Sequence, residues 1–378
     1  MNKPQSLYIG LMSGTSLDGV DGVLARINPQ GQLAVQSHAF TAFDEDFKSE
    51  LMALNQDGPN ELHRSALAGN QIARHYADVV HQLLSSTGLQ PLDIAAIGAH
   101  GQTVRHRPLE FDGNATLERA PVGYTLQLIN PSLLAELTGI DVVADFRNRD
   151  LAAGGQGAPL VPAFHKAIFT KPDSYRAILN IGGIANVTLL QPNQPVRGFD
   201  TGPGNGLMDH WIQQQGLGLY DEDGLYAASG VIQQDLLTAL CSDPYFQLQG
   251  PKSTGREYFN AEWLAQKLQA ENYAAADVQR TLTRFTAQSI KIALVNEAIT
   301  ELFVCGGGAY NKVLISDLQQ LFPTVQLQQT ASLGVKADDV EAMAFAWLAY
   351  AYDRKIPGNI PEVTGARKAV VLGAEFSC

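Results

Sequence analysis

The chain has 378 residues, of which 45% are hydrophobic and 17% are charged. This length exceeds what one hydrophobic core usually supports, so two domains are predicted, and the composition excludes an intrinsically disordered chain. The net charge of −12 at pH 7 excludes nucleic acid and an anionic membrane surface as the main partner.

The cysteines and the first residues indicate the compartment. Cys241, Cys305 and Cys378 show neither metal-ligand spacing nor a disulfide pattern, which is typical of a reducing environment. The start Met-Asn-Lys-Pro-Gln-Ser lacks the apolar core of a signal peptide, and no window reaches the roughly 18 apolar residues of a membrane span. A cytoplasmic protein without a membrane partner is therefore expected.

The chain opens with a strand, a polar turn and a second strand. Residues 7–12 are mostly apolar, residues 13–16 (Ser-Gly-Thr-Ser) are small, and alternation resumes at 20–24 after an Asp-Gly pair. This pattern predicts a β-hairpin. Small side chains let backbone N–H groups approach an anion closely, so the tip is a candidate phosphate site. An ordinary hairpin turn accommodates the same residues.

A third strand and two helices follow the hairpin. Residues 33–43 alternate as a strand, and residues 44–55 begin with acidic side chains suited to a helix N-terminus. Residues 59–86 carry apolar side chains every three or four positions, which predicts a helix with one buried face that ends at Gly88. Strands followed by helices predict an α/β domain.

A buried strand predicted at 94–98 runs into a polar segment at 100–106, and a further strand follows at 124–129. Ligands of α/β proteins bind beyond the carboxyl ends of strands, so His100 and His106 are candidate ligand contacts. A purely structural role for each histidine is the open alternative.

After a helix predicted at 131–138, a strand at 140–144 leads into a charged loop at 145–150. The loop carries two arginines and two aspartates. They form either an ion-pair network that fixes the loop or a site in which Arg147 or Arg149 grips an acidic substrate group.

The second half of the chain repeats the first after a polar connector at 169–175. Residues 177–190 contain a strand, a Gly-Gly turn and a strand, and a third strand at 196–200 precedes a helix. The repeat predicts two duplicated domains, 1–170 and 175–378, with the final helix packing back on the first domain. Two hairpin tips that face each other across a cleft would hold the phosphates of a nucleotide.

Several motifs carry a family resemblance. They are, in chain order, residues 13–19 (Ser-Gly-Thr-Ser-Leu-Asp-Gly), 145–147, 154–162, 180–186 (Asn-Ile-Gly-Gly-Ile-Ala-Asn), 198–205, 250–257, 304–311 and 341–346. Together they resemble the signatures of anhydro-N-acetylmuramic acid kinases, in the superfamily of actin, sugar kinases and heat-shock chaperones. The resemblance implies an α/β fold of two duplicated RNase H-like domains of the actin-like ATPase type, with a nucleotide cleft between them.

The resemblance also implies a reaction. With ATP and Mg²⁺, water opens 1,6-anhydro-N-acetylmuramic acid, and the product is N-acetylmuramic acid 6-phosphate, a step of peptidoglycan recycling. Asp200 is implied as the general base that takes a proton from the attacking water. From the residues alone, an aspartate that caps the following helix is the simpler interpretation of Asp200.

The residues that the resemblance implies for nucleotide binding lie at hairpin tips and helix starts. They are Gly14, Thr15, Ser16, Leu17, Asp18, Gly19, Asp21, Gly182, Gly183, Asn186, Gly202, Gly204, Asn205, Gly306, Gly307, Gly308 and Asn311. Asp18 is also the candidate for Mg²⁺, through a bound water, or for the sugar.

The side chains expected to contact the anhydro amino sugar are charged or form hydrogen bonds. They are Asp18, His100, Asp145, Arg147, Arg149 and Glu341. The lactyl carboxylate of the sugar is the natural partner of Arg147 or Arg149.

Other interpretations were weighed against this one. The segment 250–255 lacks the adjacent Gly-Lys of a phosphate-binding Walker loop, and 306–308 does not complete a dinucleotide-binding fingerprint. Another sugar kinase of the same fold and a nucleotide-driven switch remain alternatives, as does a glycoside hydrolase that pairs Asp145 with Asp200.

A homodimer is a further expectation, through an apolar seam on the aromatic helix around Trp347 and Tyr350. A buried core explains the same two side chains.

Overall fold

The computed structural model describes residues 6–14, 16–29, 31–109, 122–248, 252–255, 258–268 and 273–378. The chain divides into two compact units, one that combines residues 1–168 with 339–378 and one at 169–338. Residues 339–378, predicted to close the second domain with a helix that packs back on the first, thus belong to the first unit.

Strands of both units are numbered in chain order over the described residues. They are β1 (Ser6–Ser13), β2 (Gly19–Ile27), β3 (Leu33–Ala42), β4 (Ile94–Arg107), β5 (Tyr124–Leu128), β6 (Val142–Ala144), β7 (Arg176–Ile181), β8 (Ile184–Leu190), β9 (Arg197–Pro203), β10 (Glu301–Cys305), β11 (Gln326–Gln329) and β12 (Ala374–Phe376).

The α-helices of the described residues are numbered in the same way. They are α1 (Glu45–Ala53), α2 (Glu61–Thr87), α3 (Pro131–Thr138), α4 (Phe146–Ala152), α5 (Val161–Phe169), α6 (Gly206–Gln214), α7 (Leu225–Ala228), α8 (Gln234–Cys241), α9 (Ala261–Leu268), α10 (Ala275–Ala293), α11 (Lys312–Leu321), α12 (Val340–Asp353) and α13 (Pro361–Thr364).

The first unit is built on one sheet with the strand order β3-β2-β1-β4-β6-β12, and β5 pairs with β4. Strands β1, β2 and β3 are antiparallel, whereas β4 runs parallel to β1, and β6 runs parallel to β4. Helix α2 lies against β2 and β3 and ends at Gly88 in the left-handed conformation, as predicted. The hairpin, third strand and long helix are confirmed.

Two glycines let helix α12 approach this sheet closely. Gly10 of β1 and Gly98 of β4 are neighbours in the parallel register. A Cβ atom on Gly10 would lie 1.9 Å from the carbonyl oxygen of Ala342, and one on Gly98 would lie 2.0 Å from that of Phe345. The helix therefore rests almost directly on the strand backbones, which buries its apolar side chains around much of its circumference.

That packing bears on the predicted dimer seam. Trp347 is 4% exposed and Tyr350 is 3% exposed, and the Tyr350 ring meets Tyr8 of β1 edge to face at 5.7 Å between centroids. Of the two interpretations, the buried core is the one that these side chains fit, because neither presents an apolar surface to a second chain.

The second unit repeats the first arrangement. Its sheet has the order β9-β8-β7-β10-β11, in which β7, β8 and β9 are antiparallel and β10 runs parallel to both β7 and β11. The same order, β3-β2-β1-β4-β6, occurs in the first unit. The predicted mixed α/β fold with a duplicated sheet is confirmed.

Two local predictions are wrong. Strand β4 does not end at residue 98 but continues to Arg107, because β5 pairs with its polar second half. The segment 145–150 is not a loop, since most of it forms helix α4 after Asp145 turns the chain with a φ of 59°. His100 therefore lies within a strand, and Arg147 and Arg149 lie on a helix.

Candidate active site

The tip between β1 and β2 presents polar side chains to solvent. The N–H of Leu17 donates to the carbonyl oxygen of Gly14 at 3.2 Å, and Leu17 turns the chain with a φ of 62°. The Leu17 side chain is 4% exposed and anchors the tip in the core, while Ser16 and Asp18 are exposed. Thr15 lies outside the described residues.

Two buried side chains that the sequence analysis did not single out hold this tip. The hydroxyl of Tyr76 lies 3.1 Å from Oγ of Ser13 and accepts the N–H of Gly101 at 3.1 Å. Nε2 of Gln102 donates to the carbonyl oxygen of Gly14 at 3.1 Å. Helix α2 and strand β4 thus fix the hairpin tip, and we call Tyr76 and Gln102 the tip clamp.

Eight of the nine glycines predicted to bind nucleotide fall into two groups. A Cβ on Gly14, Gly182 or Gly307 would meet no protein atom closer than 3.5 Å. Packing within the chain therefore does not require glycine at these three positions, which leaves room for a ligand to approach the backbone.

The other predicted glycines are required by packing within the protein. A Cβ on any of them would lie under 3.0 Å from a protein atom, and the group comprises Gly19, Gly202, Gly204, Gly306 and Gly308. The Gly204 Cβ, for example, would lie 2.2 Å from the carbonyl oxygen of Gly182. Their glycine identity is explained by the fold.

The tip between β7 and β8 is bound to the start of helix α6. The carbonyl oxygen of Gly182 accepts from the N–H of Asn205 at 2.7 Å, and that of Gly183 accepts from Gly204 at 3.0 Å and Gly206 at 3.1 Å. The side chain of Asn205 also donates to Ile181 at 3.3 Å. These bonds join the second hairpin and the segment after β9 into one rigid corner.

A row of polar residues crosses the sheet of the second unit. Asn180 of β7 pairs with Asn186 of β8, which pairs with Asp200 of β9. Directly paired residues present their side chains on the same face of a sheet, so the row gathers two amides and one carboxylate. Asn180 was missing from the predicted site residues, although it stands in the 180–186 motif.

Asp200 lies within strand β9 and is half-buried. Its carboxylate Oδ2 accepts the N–H of Thr254 at 2.9 Å, and its own N–H donates to the carbonyl oxygen of Lys252 at 2.9 Å. The Tyr245 hydroxyl donates to the Asp200 carbonyl oxygen at 2.8 Å. Helix α6 has Asn205 at its N-cap, so the helix-capping interpretation of Asp200 does not match the structure.

The 250–255 motif thereby acquires a role that its sequence did not reveal. It is no Walker loop; its residues Lys252 and Thr254 hold the backbone and the carboxylate of Asp200. The Lys252 ammonium lies 4.3 Å from the Tyr245 ring centroid. Burial lowers the pKa of Lys252.

The side chain of Asn311 caps a helix. Its side-chain oxygen accepts the N–H of Leu314 at 3.0 Å and so caps helix α11. The segment before it, from Gly307 to Tyr310, is a short 3₁₀-helix that follows β10 directly. The glycines of the 304–311 motif thus follow a strand end directly, while Asn311 has a structural explanation.

In the first unit, buried His100 and partly buried Arg147 form a polar pair. Nε of Arg147 donates to Nε2 of His100 at 2.9 Å, and Nη1 donates to the carbonyl oxygen of Gly157 at 2.8 Å. Burial lowers the pKa of Arg147 to about 10, against the opposing charge of Glu341. Burial, aided by the Arg147 charge, holds the pKa of His100 well below its usual value.

Glu341 belongs to the same electrostatic neighbourhood. Burial raises the pKa of this carboxyl, Arg147 lowers it, and the charge of Asp21 raises it further. Asp21 itself lies 3.5 Å from Nε2 of His38. The structure thus brings Arg147, His100 and Glu341 together, and it places Asp21 beside a histidine of β3.

The other charged residues of helix α4, Arg149 and Asp150, differ in their exposure to solvent. Asp150 is fully buried, where it accepts from Gly157 N–H at 2.8 Å, Asn359 Nδ2 at 2.6 Å and Thr364 Oγ1 at 2.8 Å. Arg149 is exposed. Asp150 therefore fixes this segment through neutral groups, and not through the ion-pair network that was the alternative for 145–150.

A cavity of about 190 Å³ lies beside His100. Its lining combines polar and apolar side chains: His100, Thr125, Leu126, Gln127, Ile129, Pro131, Ala144, Asp145, Asn148 and Phe376. Asp145 is exposed and its Oδ1 accepts from Asn148 at 2.7 Å. His100 and Asp145, both predicted to contact substrate, thus line one space, which we call the His100 cavity.

No cluster of three or more His, Cys, Asp or Glu side chains that would hold a metal ion occurs within the described part of the chain. Asp18, the predicted metal residue, is exposed at the first hairpin tip. Among the same residues, no helix has the length and apolarity needed to cross a bilayer.

Comparison with known proteins gives consistent results over the whole chain. The family described as anhydro-N-acetylmuramic acid kinase matches residues 6–378. The protein of that name from Variovorax paradoxus S110 is 54% identical over 98% of both chains. The one from Bordetella pertussis Tohama I is 53% identical over 99% of this chain and 96% of its own.

Among solved structures, a similar chain is an activator of 2-hydroxyisocaproyl-CoA dehydratase from Clostridium difficile with bound ADPNP. It is 14% identical, with a TM-score of 0.45 over 92% of this chain and 95% of its own.

Proposed function

This chain belongs to the anhydro-N-acetylmuramic acid kinase family, and from that premise we propose how its residues carry out the reaction. The chain is a kinase that opens 1,6-anhydro-N-acetylmuramic acid with water and yields N-acetylmuramic acid 6-phosphate in peptidoglycan recycling. The observation that carries this conclusion is the match of residues 6–378 together with 54% identity to a relative over 98% of the chain.

We propose ATP as the phosphoryl donor and Mg²⁺ as its counterion. The open backbone at Gly14 in the first unit, and that at Gly182 and Gly307 in the second, each fit a phosphate group that approaches N–H groups closely. The exposed Asp18 fits Mg²⁺, which usually keeps several waters and binds through one or two carboxylates and the phosphates. The ion would neutralise charge on the transferring phosphoryl group. We place the reaction in the cytoplasm, where ATP is supplied.

Asp200 is proposed as the general base. Thr254 N–H and the β9 backbone fix the carboxylate in place, and the paired Asn186 supplies a neighbouring amide. A carboxylate held in this way can accept a proton from a water molecule in a defined direction, which is the geometric requirement for a base.

The proposed step balances in atoms and charge. Water oxygen bonds to the anomeric carbon, its proton passes to Asp200, and the bond from that carbon to the bridging 6-oxygen breaks. The electron pair released on the 6-oxygen forms a bond to the γ-phosphorus of ATP. The bond between that phosphorus and the β–γ bridging oxygen breaks, and ADP leaves.

Arg147 is proposed to recognise the lactyl carboxylate. Its guanidinium is held by His100 and Gly157, whereas Arg149 is exposed on the same helix. A desolvated arginine that is already oriented binds a carboxylate more strongly than one in water, because water does not screen the pair. Glu341, whose charge acts on Arg147, is proposed to contact the sugar.

The test is ADP release measured with and without the anhydrosugar. Wild-type protein should release ADP only with the sugar, and Asp200→Asn should lose about 10²–10⁴-fold in turnover because the basic oxygen is gone. The matched control Asp235→Asn, an exposed carboxylate of the same unit, should retain turnover. Near-normal turnover by Asp200→Asn would contradict the assignment, and ring opening without nucleotide would indicate a glycoside hydrolase instead.

A further inference from the structure

The hydrogen bond from Arg147 fixes the tautomer of His100. Arginine only donates, so Nε2 of His100 must accept, and the ring proton of the neutral imidazole then sits on Nδ1. Nδ1 is buried and makes no hydrogen bond of good geometry to a described residue, although the nearby Gly101 backbone favours the protonated ring. His100 is 3% exposed, and a buried donor left without a partner costs stability unless a ligand or water supplies an acceptor.

Asp145 supplies a hydrogen-bond acceptor to the same cavity. It occupies the N-cap position of α4, yet its side chain makes no capping bond to the helix. One of its oxygens accepts from Asn148, and a carboxylate has further lone pairs for another donor. The left-handed φ of 59° at Asp145 orients this residue at some conformational cost, which is common at ligand sites.

The rest of the cavity is apolar on one side. Ile129, Pro131, Ala144 and Phe376 line it together with Leu126. Its volume of about 190 Å³ is below the roughly 300–1,000 Å³ of pockets that enclose a whole small molecule. The cavity therefore suits one substituent of a ligand rather than an entire sugar ring.

We propose that the His100 cavity binds the acetamido group of the sugar. His100 Nδ1–H donates to the amide carbonyl, the Asp145 carboxylate accepts the amide N–H, and the methyl group lies on the apolar wall. One donor, one acceptor and an apolar surface together match a secondary amide with a methyl end. This assignment rests on the proposed function and adds to it the group that distinguishes the substrate from other anhydrosugars.

The charge of the cavity argues against the lactyl carboxylate as its occupant. Asp145 lines the space, and no Lys or Arg side chain is among the described residues that line it. An anion would meet a carboxylate without a compensating cation, which is unfavourable at short range. The Arg147 guanidinium contributes through His100, by holding the ring in the donating tautomer.

The experiment compares two sugars. One is 1,6-anhydro-N-acetylmuramic acid, and the other carries a hydroxyl in place of the acetamido group. Wild-type protein should prefer the first by about 10²-fold or more in kcat/KM, because a single hydroxyl is too short to reach both polar partners and leaves the apolar wall uncovered. Equal kcat/KM for the two sugars would overturn the proposal.

Two substitutions of His100 test the roles of its two ring nitrogens separately. The side-chain nitrogen of asparagine is as many bonds from the backbone as Nδ1, and the glutamine oxygen is as many as Nε2. His100→Gln therefore keeps an acceptor for Arg147 and loses the donor, so the preference should fall about tenfold or more. His100→Asn keeps a donor in place of Nδ1 and should retain the preference.

Asp145→Ala should also reduce the preference, since it removes the acceptor. The matched control is His106→Gln, a neighbouring histidine whose Nδ1 bonds Thr125 and which does not line the cavity. An unchanged preference in His100→Gln, or an equal loss in both His100 variants, would overturn the proposal and leave His100 as a support for Arg147.

Binding measured by calorimetry separates this proposal from the proposed function. Should wild-type protein release no ADP with either sugar, the kinase assignment fails and the two binding constants decide on the cavity. Binding of the acetamido sugar about tenfold or more tighter, lost in His100→Gln, supports the subsite. Equal binding of both sugars overturns it.

Discussion

Four buried or half-buried histidines among the described residues of the first unit, His75, His100, His106 and His165, are held neutral by their surroundings. Burial lowers the pKa of His106 to about 4 and that of His165 to about 3, and it holds the pKa of His100 well below its usual range. Because the unfolded chain then binds more protons, the free energy of unfolding should decrease as pH falls below about 6.5. For His106 this loss should be complete near its folded pKa of about 4.

Denaturant unfolding between pH 7 and pH 5 checks this sign. Glu341 acts in the opposite direction, since its raised pKa means that the folded state binds its proton more tightly. His106→Gln removes one titrating group and should flatten the profile. Stability that rises as the pH falls from 7 to 5 would contradict the assignment of these histidines as neutral.

The two arginines of helix α4 give a second test. Arg147→Ala should weaken binding of the sugar by about 2–5 kcal/mol if it holds the lactyl carboxylate in a desolvated pair. Arg149→Ala, at an exposed position on the same helix, should change it little. An anhydrosugar without the lactyl group should lose less binding in Arg147→Ala, because only the support that Arg147 gives His100 is then removed. Equal losses for both sugars would show that Arg147 only supports the structure.

The tip clamp, Tyr76 and Gln102, ties helix α2 and strand β4 to the first hairpin. Tyr76→Phe removes the hydroxyl that serves Ser13 and the Gly101 N–H, and we expect it to cost about 1–3 kcal/mol. The same variant should raise KM for ATP more than it lowers kcat, because the hairpin tip becomes less ordered. Thermal unfolding and initial rates measure the two effects. An unchanged KM for ATP would separate the clamp from nucleotide binding.

Alanine substitutions in the two groups of glycines should have opposite effects on stability and on nucleotide binding. Gly14→Ala leaves the nearest protein atom at 3.7 Å, so the variant should fold normally and bind nucleotide more weakly. Gly204→Ala would drive a Cβ to 2.2 Å from the Gly182 carbonyl oxygen, so the variant should lose stability. Melting temperature and nucleotide Kd, measured together, distinguish them. A destabilised Gly14→Ala with unchanged Kd would contradict the phosphate assignment at this tip.

Short sequence patterns predict the elements that are determined by residues close together in the chain. The first hairpin and helix α2 follow from alternation and from apolar spacing, and both appear where expected. Strand β4 extends through a polar segment because β5 pairs with it, and no short window contains that information. Helix α4 was missed for a similar reason, since buried Asp150 binds Asn359 and Thr364, which are distant in sequence.

At the site, the motifs located most of the residues but not their roles. Asp200 could be identified only through the family resemblance, because an aspartate before a helix predicts a cap equally well. The tip clamp was invisible because Tyr76 looks like one more apolar residue of α2. The tautomer of His100 depends on Arg147, a contact that only the folded chain reveals.

The first unit is assembled from two separate stretches of chain, which gives a prediction for the whole molecule. Removal of residues 339–378 would strip α12 from β1, β2 and β4 and expose the strand backbones at Gly10 and Gly98. The truncated chain 1–338 should therefore lose the native first unit. Residues 169–338 alone should unfold cooperatively by circular dichroism. Native-like cooperative melting of 1–168 alone would contradict the described units.

The central claim is that water opens the anhydro bridge as the released 6-oxygen takes the phosphoryl group. The measurement is a reaction in oxygen-18 water with excess ATP, analysed by mass spectrometry and phosphorus NMR before the anomeric hydroxyl exchanges with solvent. The account predicts one labelled oxygen at the anomeric carbon and none in the phosphate for each ADP released. Label in the phosphate, or an unlabelled sugar product, would contradict it.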